Sequence, residues 1–287
     1  MRENLGAGVC DTMDADTSAR VAKAKCVVRG AICGDIIGSP YERHQTKDYG
    51  FALHTPKSQF TDDTVCTIAV ADALTGGGAL GETLQRWCLR YPRAGYGGCF
   101  RHWITSSNPL PYGSFGNGSA MRVSSVGALA TSVEECLQLA EWPAAVTHNH
   151  TEGIKGAQAV ALAIFLALEG HGKERIKAEL ERRFGYDLSR AYAEIQRGYR
   201  FESSCQKSVP EAIIAFLVSE DYESAVRRAV ALGGDADTQA TIAGSIAAAY
   251  YGEIPDDIIA GCVATLPAEM MCVIYNVDDA IDEKHGR

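Results

Sequence analysis

Apolar residues in this sequence return every three or four positions in one segment after another, and no stretch alternates convincingly as a half-buried strand would. The pattern begins at "VAKAKCVVRGAICGDIIGSPYE", is rich in alanine, and continues almost to the C-terminus. It predicts an all-α chain with helices over 22–37, 62–75, 82–90, 119–130, 133–141, 152–169, 173–183, 209–218, 221–232, 237–251, 256–264 and 268–283. Caps agree with two of these. Ser132 precedes Val-Glu-Glu with Glu135 at the capping-box position, and Ser208-Val-Pro-Glu211 pairs a box glutamate with an early proline. Glycine-rich connectors, "TGGGALG" (75–81), "RAGYGGC" (93–99) and "PYGSFGNGSA" (111–120), separate the helices. No Pro/Ser-rich linker or shift in composition divides the chain. One domain over 23–287 is expected, behind a disordered polar tail over 1–22.

Bulk properties narrow the function classes. A net charge of −9 over 287 residues leaves no basic stripe to neutralise phosphates, which excludes a general nucleic-acid or anionic-membrane binder. The longest strongly apolar run, "AVALAIFLAL" at 159–168, is too short to span a bilayer and reads as a core helix. Ten cysteines never form a C-x-x-C pair, and several, such as Cys33, Cys66 and Cys272, lie in apolar runs. Together with a first twenty residues lacking an apolar signal core, this leads us to expect reduced thiols and a cytoplasmic location; a monomer is the separate expectation for assembly.

Two short segments carry the chemistry. "DTVCTIA" (63–69) and "DTQATIA" (237–243) share the pattern D-T-x-x-T-I-A, and each opens an apolar helix with acidic residues and threonines. Taken singly, either is a helix cap, because carboxylates in a first turn bond free N–H groups and oppose the macrodipole. Together they hold more carboxylates than caps need: Asp62 and Asp63, then Asp235 and Asp237. Residues two apart diverge on a helix, so Asp235 and Asp237 converge only if Asp235 remains in a turn, which Gly233 and Gly234 permit. Carboxylate with hydroxyl oxygen from Thr61 and Thr238, and no soft ligand, suits Mg²⁺, Mn²⁺ or Ca²⁺ rather than zinc. If the two helix starts meet, like charges about 4 Å apart repel by roughly 4 kcal/mol at an effective dielectric near 20, which two divalent ions would balance.

Five segments in series, "GAICGDIIGSPYE", "FTDDT", "YGSFGNGSAMR", "THNH" and "GGDADT", run from Gly30 to Thr238. In this order they resemble the ADP-ribosylglycohydrolases, which include dinitrogenase-reductase-activating glycohydrolases and ADP-ribosyl-acceptor hydrolases. The resemblance implies a single all-α domain of that family's type with a central two-metal cleft. It implies two Mg²⁺ (or Mn²⁺) held by Thr61, Asp62, Asp63, Asp235, Asp237 and Thr238, with Glu42, Asp62 and Asp237 catalytic. Gly113, Ser114, Phe115, Gly116, Asn117 and Gly118 are expected to wrap the substrate diphosphate, with His148 as a further substrate contact. Asp35 reads as structural. Arg122 reads either as a phosphate ligand or as a buried ion-pair partner of Asp35 or another acid; Cys205 has no chemical role. Gln239 stands where many of that family carry asparagine, and Thr151 where proline is common.

The implied reaction is hydrolysis of the bond between ADP-ribose and a modified acceptor, releasing ADP-ribose, through a transition state of oxocarbenium character. Two other readings remain open at the level of sequence. One is a catalytically silent structural member, as certain lens crystallins are. The other is a metal-dependent nucleotide phosphohydrolase using the same carboxylates.

Overall fold

The structure, a computed structural model, describes residues 7–76 and 78–285. The helices, in chain order, are α1 (Ala7–Gly38), α2 (Asp62–Leu74), α3 (Leu80–Arg90), α4 (Gly98–Ile104), α5 (Ser124–Leu129), α6 (Val133–Ala145), α7 (Thr151–Leu168), α8 (Lys173–Phe184), α9 (Tyr192–Gly198), α10 (Cys205–Leu217), α11 (Tyr222–Ala231), α12 (Ala236–Tyr251), α13 (Asp256–Val263) and α14 (Ala268–His285). Two 3₁₀ turns, Ser39–Tyr41 and Asn117–Ser119, complete the regular structure, and no strand occurs among the described residues. The all-α, single-domain expectation holds.

Gly30, Gly34 and Gly38 recur every four residues and leave one face of α1 without side chains. The face is filled by α12, running antiparallel. A β-carbon built on Gly30 would lie 2.5 Å from Ala248 Cβ, one on Gly34 2.2 Å from the Ala240 carbonyl oxygen, and one on Gly38 2.5 Å from Asp237 Cα. The two backbones therefore touch, and the last turn of α1 fixes the first turn of α12. Small residues make α12 itself thin enough for the centre of the molecule; every residue from Ala236 to Ala249 is buried. Around this pair pack α2, α5, α7, α10 and α11, and Tyr222 on α11 donates to the Gly30 carbonyl at 2.8 Å. The apolar run 159–168 lies in α7, where each of its residues is buried, as a core helix requires.

Three expectations need correction. The loose tail over 1–22 does not extend that far: the backbone is helical from Ala7, Arg20 bonds Glu169 at 2.9 Å and Val21 packs on the core. Its part over 1–6 lies outside the described residues. The helix expected over 119–130 is instead the Asn117–Ser119 turn, a further turn over 120–122, and then α5. The helix expected over 209–218 begins at Cys205, so Ser208 is inside it and its hydroxyl accepts from Asn117 rather than capping. Two short helices, α4 and α9, lie outside the segments with helical periodicity. The first starts within a glycine connector and is stabilised by burial of Phe100 and Trp103, whose rings stack at 5.6 Å.

Candidate active site

The two acidic segments meet. The chain enters α12 through Gly233 at φ +67°, a left-handed turn that holds Asp235 just outside the helix while Asp237 sits in its first turn. On the other side Thr61 caps α2, accepting from Asp63 N at 3.3 Å. Thr238 then donates through Oγ1 to Asp63 Oδ2 at 3.1 Å, tying one helix start to the other.

Asp35 braces this junction from α1. Its Oδ2 accepts from the Thr61 and Thr64 backbone amides at 2.8 and 3.0 Å, and its Oδ1 accepts the Thr61 hydroxyl at 2.7 Å. These bonds fit the structural role read from the sequence. The same carboxylate also lies with those of Asp63 and Asp237, each offering an oxygen within 4.8 Å of the others. A second group at the same separation consists of Glu42, Asp235 and Asp237. Asp237 belongs to both. Asp62 lines the cleft but joins neither group, and no composition signal marked Asp35 for this position.

Charge is concentrated here without compensation. Arg43 reaches Glu42 at 4.0 Å, but Asp35, Asp62, Asp63, Asp235 and Asp237 have no basic partner among the described residues. Burial pushes all six carboxyls above their usual range. Asp62 reaches about 8, raised by burial first and then by Asp35, Asp235 and Glu42. Asp63 Oδ1 is buried with no hydrogen-bond partner. An orphaned carboxylate oxygen amid converging hard oxygen donors fits a divalent cation of the Mg²⁺, Mn²⁺ or Ca²⁺ type.

Above these residues opens a cleft of about 630 Å³, within the size range usual for small-molecule sites. Glu42, Asp62, Asp63, Asp235, Asp237 and Thr238 line its acidic side, and residues 112–118 with His148 line another. The glycine loop is firmly held. Gly113 N donates to Asn149 Oδ1 at 2.8 Å, Asn117 N to Ser203 O at 2.7 Å, and Cys205 N to Phe115 O at 2.8 Å. The Phe115 and Gly118 N–H groups take no part in these bonds between segments. Phe115 is half exposed at 48% and meets the His150 ring edge-on. Asn117, expected on the substrate, has its amide turned to Asp235 Oδ2 at 2.8 Å and to Ser208, so it also orients a carboxylate of the acidic side.

Cys205, for which sequence reasoning finds no chemical role, is a packing element of this wall. Its Sγ donates to Gly116 O at 3.1 Å and fills the space over Gly156, and burial pushes the thiol up to about 12. Arg122 is fully buried without an ion pair to Asp35; its Nη2 donates to Pro143 O and to the Thr147 hydroxyl, each at 2.6 Å. The Thr147 hydroxyl in turn lies 2.6 Å from His148 Nδ1. Burial, and then the Arg122 charge, hold His148 well below the usual imidazole range.

Comparison with known proteins adds to this geometry. Residues 16–282 match the family model described as ADP-ribosylglycohydrolase. The chain is similar to ADP-ribosylhydrolase ARH3 of Mus musculus, at 29% identity with 84% of this chain and 88% of that protein covered. It is also similar to the ADP-ribosyl-[dinitrogen reductase] glycohydrolase of Rhodospirillum rubrum, at 27% identity over 85% of this chain and 86% of that protein. A solved structure of an ADP-ribosylglycohydrolase-related protein complex superposes with a TM-score of 0.68 at 26% identity, covering 92% of this chain and 99% of that chain.

Proposed function

The chain belongs to the ADP-ribosylglycohydrolase family, and from that premise we propose that it is a metal-dependent hydrolase that cleaves the glycosidic bond between ADP-ribose and a modified acceptor. The observation that carries this reading is a single cleft with two carboxylate groups sharing Asp237 on one side and a clamped glycine loop with His148 on another. Relatives bearing the names of ADP-ribosylhydrolases support the reaction class.

In this reading Asp35, Asp63 and Asp237 would hold one Mg²⁺ or Mn²⁺, and Asp235 with Asp237 a second, with Thr61, Asp62 and Thr238 bordering them and Glu42 standing beside the second pair. When bound, such ions supply an acidified water and a grip on the ribose hydroxyls. The protein's own groups do the rest. Glu42, half-buried on the acidic side with its carboxyl raised by burial and by Asp235, moves a proton between water and the reacting bond. The Phe115 and Gly118 amides, with His148, bind the diphosphate, so local donors offset the repulsion of a chain whose net charge is −9. Asn117, from the clamped glycine loop, keeps Asp235 aimed into the cleft.

Product identification tests the proposal. The protein is incubated with ADP-ribosyl-arginine, ADP-ribosyl-serine and ADP-ribosylated DNA, with Mg²⁺ and with a chelator. Free ADP-ribose that appears only with the cation supports the reading. AMP as product, or no product from any substrate, contradicts it.

A further inference from the structure

His148 sits at the end of a chain of buried polar groups. Arg122 is 1% exposed, Thr147 0% and His148 5%. A guanidinium has only donors, so the 2.6 Å bond from Arg122 Nη2 occupies a lone pair of the Thr147 hydroxyl. The hydroxyl keeps one proton and one further lone pair, and its remaining partner among the described residues is His148 Nδ1 at 2.6 Å; of the two directions, only donation from the hydroxyl to Nδ1 leaves no buried hydroxyl proton unpaired. Nδ1 is then an acceptor and carries no hydrogen. Burial disfavours the charged ring, and the Arg122 cation acts in the same sense, so the imidazole is neutral. The one ring proton left is on Nε2. That atom faces the inside of the glycine loop: β-carbons built on Gly118 and Gly116 would lie 3.2 and 3.6 Å from it.

We propose that Arg122 and Thr147 are positioning residues that fix His148 as a neutral imidazole with its proton on Nε2, so that it presents one N–H donor to an anionic oxygen held against the Gly116–Gly118 loop. The opposite tautomer would turn a lone pair toward that anion and repel it. An imidazolium would bind anions more strongly but would titrate within the physiological range; burial, with the Arg122 charge beside it, removes that dependence. The identity of the anion rests on the ADP-ribose reading given above. The tautomer does not.

Long-range ¹H–¹⁵N correlation spectra of the ¹⁵N-labelled protein read the tautomer directly, with the His148 signals identified by their loss in His148→Asn. The expected spectrum at neutral pH has a protonated Nε2 and an unprotonated Nδ1 in a single tautomer. A protonated Nδ1, or an imidazolium, overturns the proposal. In Thr147→Val the donor to Nδ1 is gone and the shifts move toward a tautomer average, whereas Thr147→Ser restores the wild-type pattern. Calorimetry with ADP-ribose follows the same order, with binding about tenfold weaker in Thr147→Val and within about twofold of wild type in Thr147→Ser, the size expected for one hydrogen bond to a charged group. Equal losses in both variants contradict the relay. A wild-type protein that binds no ADP-ribose contradicts the functional reading, while the spectra still decide the tautomer.

Discussion

Thr238 Oγ1 donates to Asp63 Oδ2 at 3.1 Å across 175 residues of sequence, and this bond joins the two acidic helix starts into one site. It leaves Asp63 Oδ1 free of any hydrogen bond. Replacing the hydroxyl should therefore loosen the carboxylate without removing it. Thr238→Val is expected to weaken Mg²⁺ binding about tenfold, the size of one hydrogen bond to a charged group, as read by calorimetry. Unchanged affinity would mean that Asp63 is positioned by Thr61 and the α2 backbone alone.

Gly38 controls the same site from behind. Its missing β-carbon would stand 2.5 Å from both Asp237 Cα and the Ala236 carbonyl oxygen, so Gly38→Ala must push the α12 start outward. Overpacking of this kind costs about 1–3 kcal/mol. Denaturant unfolding should show that loss, together with a smaller stabilisation by Mg²⁺. Gly81→Ala, where a β-carbon meets nothing within 4 Å, is the control and should leave both unchanged or slightly improved.

Gly118 should matter for substrate rather than for the cation. A β-carbon there would lie 3.2 Å from His148 Nε2 and crowd the donor out of place. Gly118→Ala is expected to raise KM at least about fivefold while Mg²⁺ affinity stays at the wild-type value, as when a mutation removes an interaction made with bound substrate. Loss of Mg²⁺ affinity in this variant would show that the loop supports the acidic side and not the ligand.

Stability should depend on pH with a sign set by the carboxyl cluster. Burial raises all six carboxyls in the cation-free chain, Asp62 from 3.8 to about 8. Between those values the folded state holds more protons than the unfolded one, so stability falls as pH rises through the window. His148 and His285, both depressed by burial, act in the opposite sense, but they are two groups against six. With chelator present the melting temperature should be lower at pH 8 than at pH 5.5 by several degrees. Mg²⁺ should stabilise more at pH 8, where the carboxylates it binds are ionised. A melting temperature that rises with pH in chelator would contradict the cluster.

The two acidic helix starts, Asp62–Asp63 and Asp235–Asp237, were legible in sequence because the repeated pattern is local, but that they meet was only implied by the family resemblance. The Gly30, Gly34 and Gly38 strip was written there too, at four-residue spacing, but its meaning depends on which helix fills it. Asp35 and Asn117 show why the rest was hidden. Asp35 read only as a structural acid and Asn117 only as part of the glycine loop, and each gains its further part in the site from a partner 26 or 118 residues away. The Arg122–Thr147–His148 chain was obscured for a different reason: a buried arginine invites an acid as partner, and here it has a hydroxyl and a carbonyl instead.

The account depends above all on the two acidic segments holding divalent cation jointly, and Mn²⁺ binding followed by electron paramagnetic resonance measures that directly. Wild-type protein should bind Mn²⁺, and Asp63→Asn and Asp237→Asn, one from each segment, should each lose most of it while circular dichroism remains helical. Retention of wild-type Mn²⁺ binding by both variants would contradict the account.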